Sequence, residues 1–129
     1  MKVISIKQPY ASLIAYGYKE YEFRTWKTKY RGPIYIHATK SMDKKAMEKY
    51  KDLNIEFKTG CIIAKAYLNE CIQINEKFKK LLNKKNKYPY VYDKILIKYD
   101  NKYAFEMTNI EIIEPIYING QLGLWNYNE

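Results

Sequence analysis

Glu22, Arg24 and Trp26 are the residues of this chain whose types and spacing best suit chemistry. They fall in Lys19–Trp26, which reads as a strand because Tyr21, Phe23 and Thr25 alternate with Glu20, Glu22, Arg24 and Trp26. The first set is the expected core face. The second spaces Glu22, Arg24 and Trp26 in steps of about 7 Å along one surface. A carboxylate, a guanidinium and an indole so arranged can accept from an exocyclic amine, hold a phosphate or carbonyl, and stack a base. The plainer alternative is an exposed Glu–Arg pair worth under about 1 kcal/mol, with Trp26 covering the core. Spacing alone leaves both open.

The elements that must position these groups follow from the flanking sequence. Lys2–Lys7 alternates as a short strand, ended by Gln8-Pro9. Tyr10, Leu13 and Ile14 then fall at helical spacing, and Gly17 is a natural stop. Such a helix start would aim free N–H groups into whatever cleft Gln8 borders, a ready site for phosphate or carboxylate; a simple strand–helix corner is the alternative. Gly17 to Lys40 also holds both arginines, the only histidine and one of two tryptophans. After the turn Tyr30-Arg31-Gly32-Pro33, Ile34–Ala38 reads as a strand with Tyr35 and His37 on one side. A lone histidine beside a tyrosine is more often a hydrogen-bonded structural group than a catalyst. Ser41 is the expected N-cap of an amphipathic helix from Met42 to Lys51.

Gly60–Ile74 gives the strongest strand pattern and is expected to be central, with Glu70 in its polar part. Glu76–Lys85 reads as a lysine-rich helix or loop. Ile95–Tyr99 and Tyr103–Ile113 read as strands around the turn Asp100-Asn101, with Glu114-Pro115 breaking the second. Gly120–Trp125 closes the domain, its glycines letting Leu122, Leu124 and Trp125 pack tightly. Five or six short strands with two or three peripheral helices, and no βαβ alternation, predict an α+β fold with a mixed, barrel-like sheet.

Composition sets the frame. At 129 residues, 47% hydrophobic and 16% aromatic, the chain reads as one globular domain over residues 1–129. No apolar run approaches a membrane span and no leader is expected, so a cytoplasmic monomer is the expectation. Cys61 and Cys71 share a strand, about 33 Å apart by strand rise, which precludes a disulfide. One histidine and no C-x-x-C give no zinc pattern, and no metal or cofactor is expected. The net charge of +9 is partly a lysine-rich composition bias. Its distribution says more. Residues 1–40 and Lys77–Lys87 are strongly basic while residues 99–129 are acidic, which favours an anionic ligand, nucleic acid or nucleotide, on one face.

Five blocks then occur in a telling order: S-I-x-Q-P-Y from Ser5, G-x-K-x-x-E-x-R-x-W from Gly17, Y-R-G-P-x-x-I-H-A from Tyr30, G-C-I-I-A from Gly60, and G-x-L-G-L-W from Gly120. From about Val3 to Trp125 the chain resembles the ASCH family. The resemblance implies a PUA-like β-barrel with a cleft lined by Gln8, Pro9 and Tyr10 and by Lys19, Glu22, Arg24 and Trp26. It also implies an RNA or nucleoside ligand, since members are proposed to bind RNA and some small ones are reported as ribonucleases. One bacterial branch deacetylates N4-acetylcytidine with a Lys-x-x-Thr-x-Arg block and a later glutamate. Lys19 and Arg24 match that block, but Glu22 stands in the threonine's place, and Glu70 and Glu76 are both candidates for the later acid.

Two functions are therefore expected, and the residues leave the choice open. In the first, the domain captures RNA or a modified nucleoside, with Lys19 and Arg24 on the polar part and Trp26 or Tyr10 stacking a base; His37 and Lys40 extend this binding set. In the second, it is a hydrolase of a nucleoside amide or of RNA. Glu22 is then the base, and Lys19 and Arg24 stabilise the oxyanion.

Overall fold

Two long strands form the spine of the sheet, β4 (Cys61–Gln73) and β5 (Tyr103–Tyr117), paired antiparallel from Cys61↔Tyr117 to Gln73↔Tyr103. The computed structural model describes residues 1–85, 89–92 and 98–128. Around the spine lie β1 (Lys2–Gln8), β2 (Tyr21–Arg24), β3 (Gly32–Met42) and β6 (Leu124–Asn126), with helices α1 (Tyr10–Ala15), α2 (Lys44–Lys49) and α3 (Glu76–Lys85). A 3-10 turn spans Pro89–Tyr92.

The six strands run in the order β2-β5-β4-β3-β1-β6. The β1–β3 pair is parallel and the others are antiparallel. This is an α+β fold with a mixed sheet, but the expected barrel is corrected. Among the described residues no ladder joins β2 to β6, so the sheet is open. The physical reason lies in β2, which is only four residues long and pairs only with Tyr103–Glu106 of β5. Beyond it a side chain makes the link: Arg24 Nη2 donates to Ser5 O of β1 at 2.7 Å.

Ile4, Ile6, Ile34, Ile36 and Phe105 are fully or almost fully buried in the main core. A second cluster packs Leu13 of α1, Tyr21 and Phe23 of β2, and Phe78 and Leu82 of α3. Period-2 alternation thus puts Tyr21 and Phe23 inward, as read from the sequence.

Several expectations differ from the structure. Ser41 and Met42 belong to β3, and α2 is capped by Asp43, whose carboxylate accepts from Ala46 N at 3.1 Å. Glu114-Pro115 does not end β5; beyond Met107, whose N–H donates to Glu20 O at 2.9 Å, no described strand pairs with its outer side, and an edge tolerates a residue without an N–H. Leu122 is 98% exposed rather than packed, while Trp125 is buried. Of the expected strand Ile95–Tyr99, residues 95–97 lie outside the described residues, as do residues 86–87 of the lysine segment; Tyr99 lies in a turn.

Candidate functional site

The site begins with a helix stop. Gly17 adopts φ +85, and the N–H groups of Tyr18 and Lys19 both donate to Leu13 O, at 2.8 and 3.0 Å. This turn reverses the chain, so that Lys19 enters the interior just before β2 starts. Alternation then sets Glu22 and Arg24 on the same side. Glu22 Oε1 accepts from Lys19 Nζ at 2.8 Å, and its Oε2 accepts from Arg24 Nη2 at 3.0 Å. Lys19 is 2% exposed and Glu22 8%, so this is a buried ion triad rather than a surface pair.

Its electrostatics are asymmetric. Burial alone would raise the Glu22 pKa, but the charges of Lys19 and then Arg24, with their hydrogen bonds, hold it below the usual carboxylate value. For Lys19 burial wins, and its pKa falls below the ordinary ammonium value despite Glu22. The difference is one of count: Glu22 faces two cations, whereas Lys19 faces one anion and a second cation. The Lys19 ammonium also lies 5.4 Å from the Tyr10 ring centroid and 5.5 Å from that of Phe23.

The triad opens on a cavity of about 750 Å³. Its walls include the rings of Tyr10, Phe23, Tyr50 and Tyr99, and its lining adds Lys7, Lys45, Lys49, Lys98 and Asp43. Tyr10 donates its hydroxyl to Asp43 Oδ2 at 3.0 Å, tying the start of α2 to this wall. Burial first, and the neighbouring Asp43 second, push the Tyr10 phenol well up, so it stays a donor at neutral pH. A volume of this order suits a nucleoside-sized ligand. Among the described residues no three His, Cys, Asp or Glu side chains gather as metal ligands would.

The structure brings together Tyr10, Lys19, Glu22 and Arg24. It places the remaining candidates elsewhere. Trp26 packs edge-on against Phe105, ring centroids 5.1 Å apart, and does not line the cleft. Gln8 is fully buried: its Oε1 accepts from Ser12 N at 3.0 Å, and its Nε2 donates to Ser12 Oγ and Lys58 O, both at 2.7 Å. Pro9 is the N-cap residue of α1. Glu70 is exposed, 3.6 Å from Arg31, and Glu76 is exposed on α3; neither lines the cleft. His37 and Lys40 line a second, adjacent cavity.

Asp43, Tyr50, Lys98 and Tyr99 line the cleft and were missed from sequence. For Asp43 a signal existed: aspartate is a strong N-cap residue, and Ser41 drew the assignment two positions early. Tyr50, Lys98 and Tyr99 reach the cleft by long-range packing, which no local pattern encodes.

Gly120 closes over the second cavity. A Cβ there would stand 2.7 Å from both His37 Cε1 and Ser5 Oγ. Gly120→Ala is therefore expected to cost about 1–3 kcal/mol of stability, seen as an earlier midpoint in urea. An unchanged midpoint would contradict this close approach.

An α+β domain whose open, mixed sheet carries a buried Lys–Glu–Arg triad in an aromatic cleft is the class that fold and site define. The chain belongs to the ASCH domain family, whose sequence profile matches residues 4–119. Among solved structures it is similar to the ASCH protein of Zymomonas mobilis, with a TM-score of 0.66 at 20% identity over 99% of this chain and 87% of that one. A tyrosine-to-phenylalanine variant of that protein gives a TM-score of 0.66 at 19% identity, covering 99% and 90%. Its serine-to-alanine variant gives 0.66 at 20%, covering 99% and 88%. At such identities the likeness carries the fold alone. No curated protein matches the chain.

Proposed function

We propose that this domain captures RNA or a modified nucleoside, drawing a single base into the cleft. The observation that carries the reading is the buried Lys19–Glu22–Arg24 triad in a cavity of about 750 Å³ that has aromatic walls and several lysines in its lining. Each part answers one part of a nucleotide. Tyr10 and Tyr99 offer faces for stacking, in place of Trp26. Lys19 and Arg24 present donors to a base carbonyl, and Glu22 is the acceptor within reach of an exocyclic amine. Lys7, Lys45 and Lys98 supply positive charge for a flanking backbone.

A hydrolytic reading is favoured by the setting of Lys19, which lines the cleft with its Nζ 2.8 Å from Glu22 and is so buried that its pKa falls below the ordinary ammonium value. In that reading the roles expected from sequence change. Glu22 is a poor base, because both its oxygens are engaged by cations and its pKa is depressed. Lys19, in its neutral form, would take the proton of a water whose oxygen attacks the carbonyl carbon of a nucleoside amide while Arg24 donates to the carbonyl oxygen. Lys19 would return that proton to the exocyclic amine as the C–N bond breaks.

Titration of single-stranded RNA at increasing salt tests the binding reading. Three lysine–phosphate contacts predict a slope of log K against log salt of about −2. Salt-independent or undetectable binding would overturn it. Mass spectrometry after incubation with a nucleoside panel that includes N4-acetylcytidine reports turnover in the same samples.

A further inference from the structure

The second cavity, of about 400 Å³, shares Ser5, Arg24 and Thr39 with the cleft, so the two compartments adjoin at the Arg24 guanidinium. Its lining carries two cations, Arg24 and Lys40, and no carboxylate. Among the described residues, two buried side-chain atoms lack a hydrogen-bond partner, Arg24 Nε and His37 Nδ1, and both residues line this cavity.

These two atoms want opposite things. Arg24 Nε–H is a donor without an acceptor. His37 Nε2 lies 2.7 Å from Ile118 O, which can only accept; the ring hydrogen therefore sits on Nε2, and Nδ1 is a bare acceptor. His37 is 1% exposed, so bulk solvent does not reach it. Ser5 Oγ accepts from the Trp125 indole at 3.0 Å, which leaves its own hydrogen to donate. Cationic donors beside one bare acceptor are the complement of a sugar–phosphate, which brings anionic oxygens and a hydroxyl hydrogen.

We infer that this pocket holds the sugar–phosphate of a ribonucleotide whose base occupies the cleft. Arg24 and Lys40 take the phosphate, and His37 Nδ1 accepts from a ribose hydroxyl. The inference rests on the nucleoside reading of the cleft and narrows it: a phosphorylated nucleotide or RNA is preferred over a free nucleoside. Gly120 now stands over Nδ1, where its Cβ would lie 2.9 Å away, so entry of the hydroxyl displaces that glycine.

The chain has a single histidine, which gives one imidazole resonance to follow. Cytidine and its 5′- and 3′-monophosphates are titrated into the wild type by calorimetry and by NMR of the His37 Cε1–H signal. One or both monophosphates are expected to bind about tenfold tighter than cytidine, and each ligand whose ribose reaches Nδ1 is expected to shift the imidazole signal. Lys40→Gln, outside the cleft lining, is expected to reduce the tenfold preference to threefold or less while cytidine binds as before. Equal affinities for all three ligands with a still imidazole signal would overturn this inference and leave the cleft reading standing. Failure of all three, and of single-stranded RNA, to bind would overturn both.

Discussion

Replacing Glu22 by glutamine is expected to lower the free energy of unfolding by about 3–5 kcal/mol, the range for removing one partner of a buried ion pair. The neutral amide leaves Lys19 and Arg24 as like charges in a site with little water, and both currently depend on Glu22, at 2.8 and 3.0 Å. The triad as a whole need not add stability, because burying three charges is itself costly. What it imposes is interdependence. Lys19→Met should therefore relieve the Glu22→Gln background, where it removes one of two like charges, while costing little alone, and a double-mutant cycle measures that coupling. The pH dependence has a definite sign. The folded-state pKa of Glu22 lies below its unfolded value, so between the two the unfolded chain binds the extra proton. The stability Glu22 contributes is full above the unfolded value and is lost as pH falls through the folded one. Urea unfolding across an acidic series should show this limb in the wild type and not in Glu22→Gln. A loss under about 1 kcal/mol in the variant would mean that the triad behaves as an exposed pair.

Lys19→Met is expected to reduce ligand affinity about 10- to 100-fold, the loss of one hydrogen bond to a charged donor in a water-poor site. Methionine keeps much of the aliphatic stem that packs among Tyr10 and Phe23 and leaves the Glu22–Arg24 pair intact. It also removes a cation whose charged form burial disfavours. The variant should thus retain the fold while losing the ligand, the opposite weighting to Glu22→Gln. If the second reading holds, the same variant loses turnover entirely. Circular dichroism with a binding titration checks both halves; affinity within threefold of the wild type would place Lys19 outside the recognition of the ligand.

Much of this site was legible in the sequence for a simple reason. Lys19, Glu22 and Arg24 are local to one turn and one strand, and period-2 alternation puts the last two on a common face. Gly17 marked the turn that brings Lys19 back. Trp26 failed the same logic because β2 ends at Arg24, so alternation no longer governs where the indole points. Gln8 failed differently: its position beside the helix start was read correctly, but its amide satisfies Ser12 and Lys58 rather than a ligand. The open sheet was not readable either. Strand count and length suggest curvature, but closure depends on whether two edges meet, and here the four-residue β2 leaves that link to the Arg24 side chain. The aromatic wall at Tyr50 and Tyr99 comes from segments far apart in the chain, and only tertiary packing reveals it.

The central claim is that the triad cleft holds a nucleobase. Its most direct test is retention: wild type and Lys19→Met are each incubated with the nucleoside panel and a short single-stranded RNA, desalted, and read by native mass spectrometry. The wild type is expected to carry a nucleoside or RNA, and Lys19→Met, equally folded, to carry none. An empty wild type, or a variant that retains the ligand equally well, would contradict it.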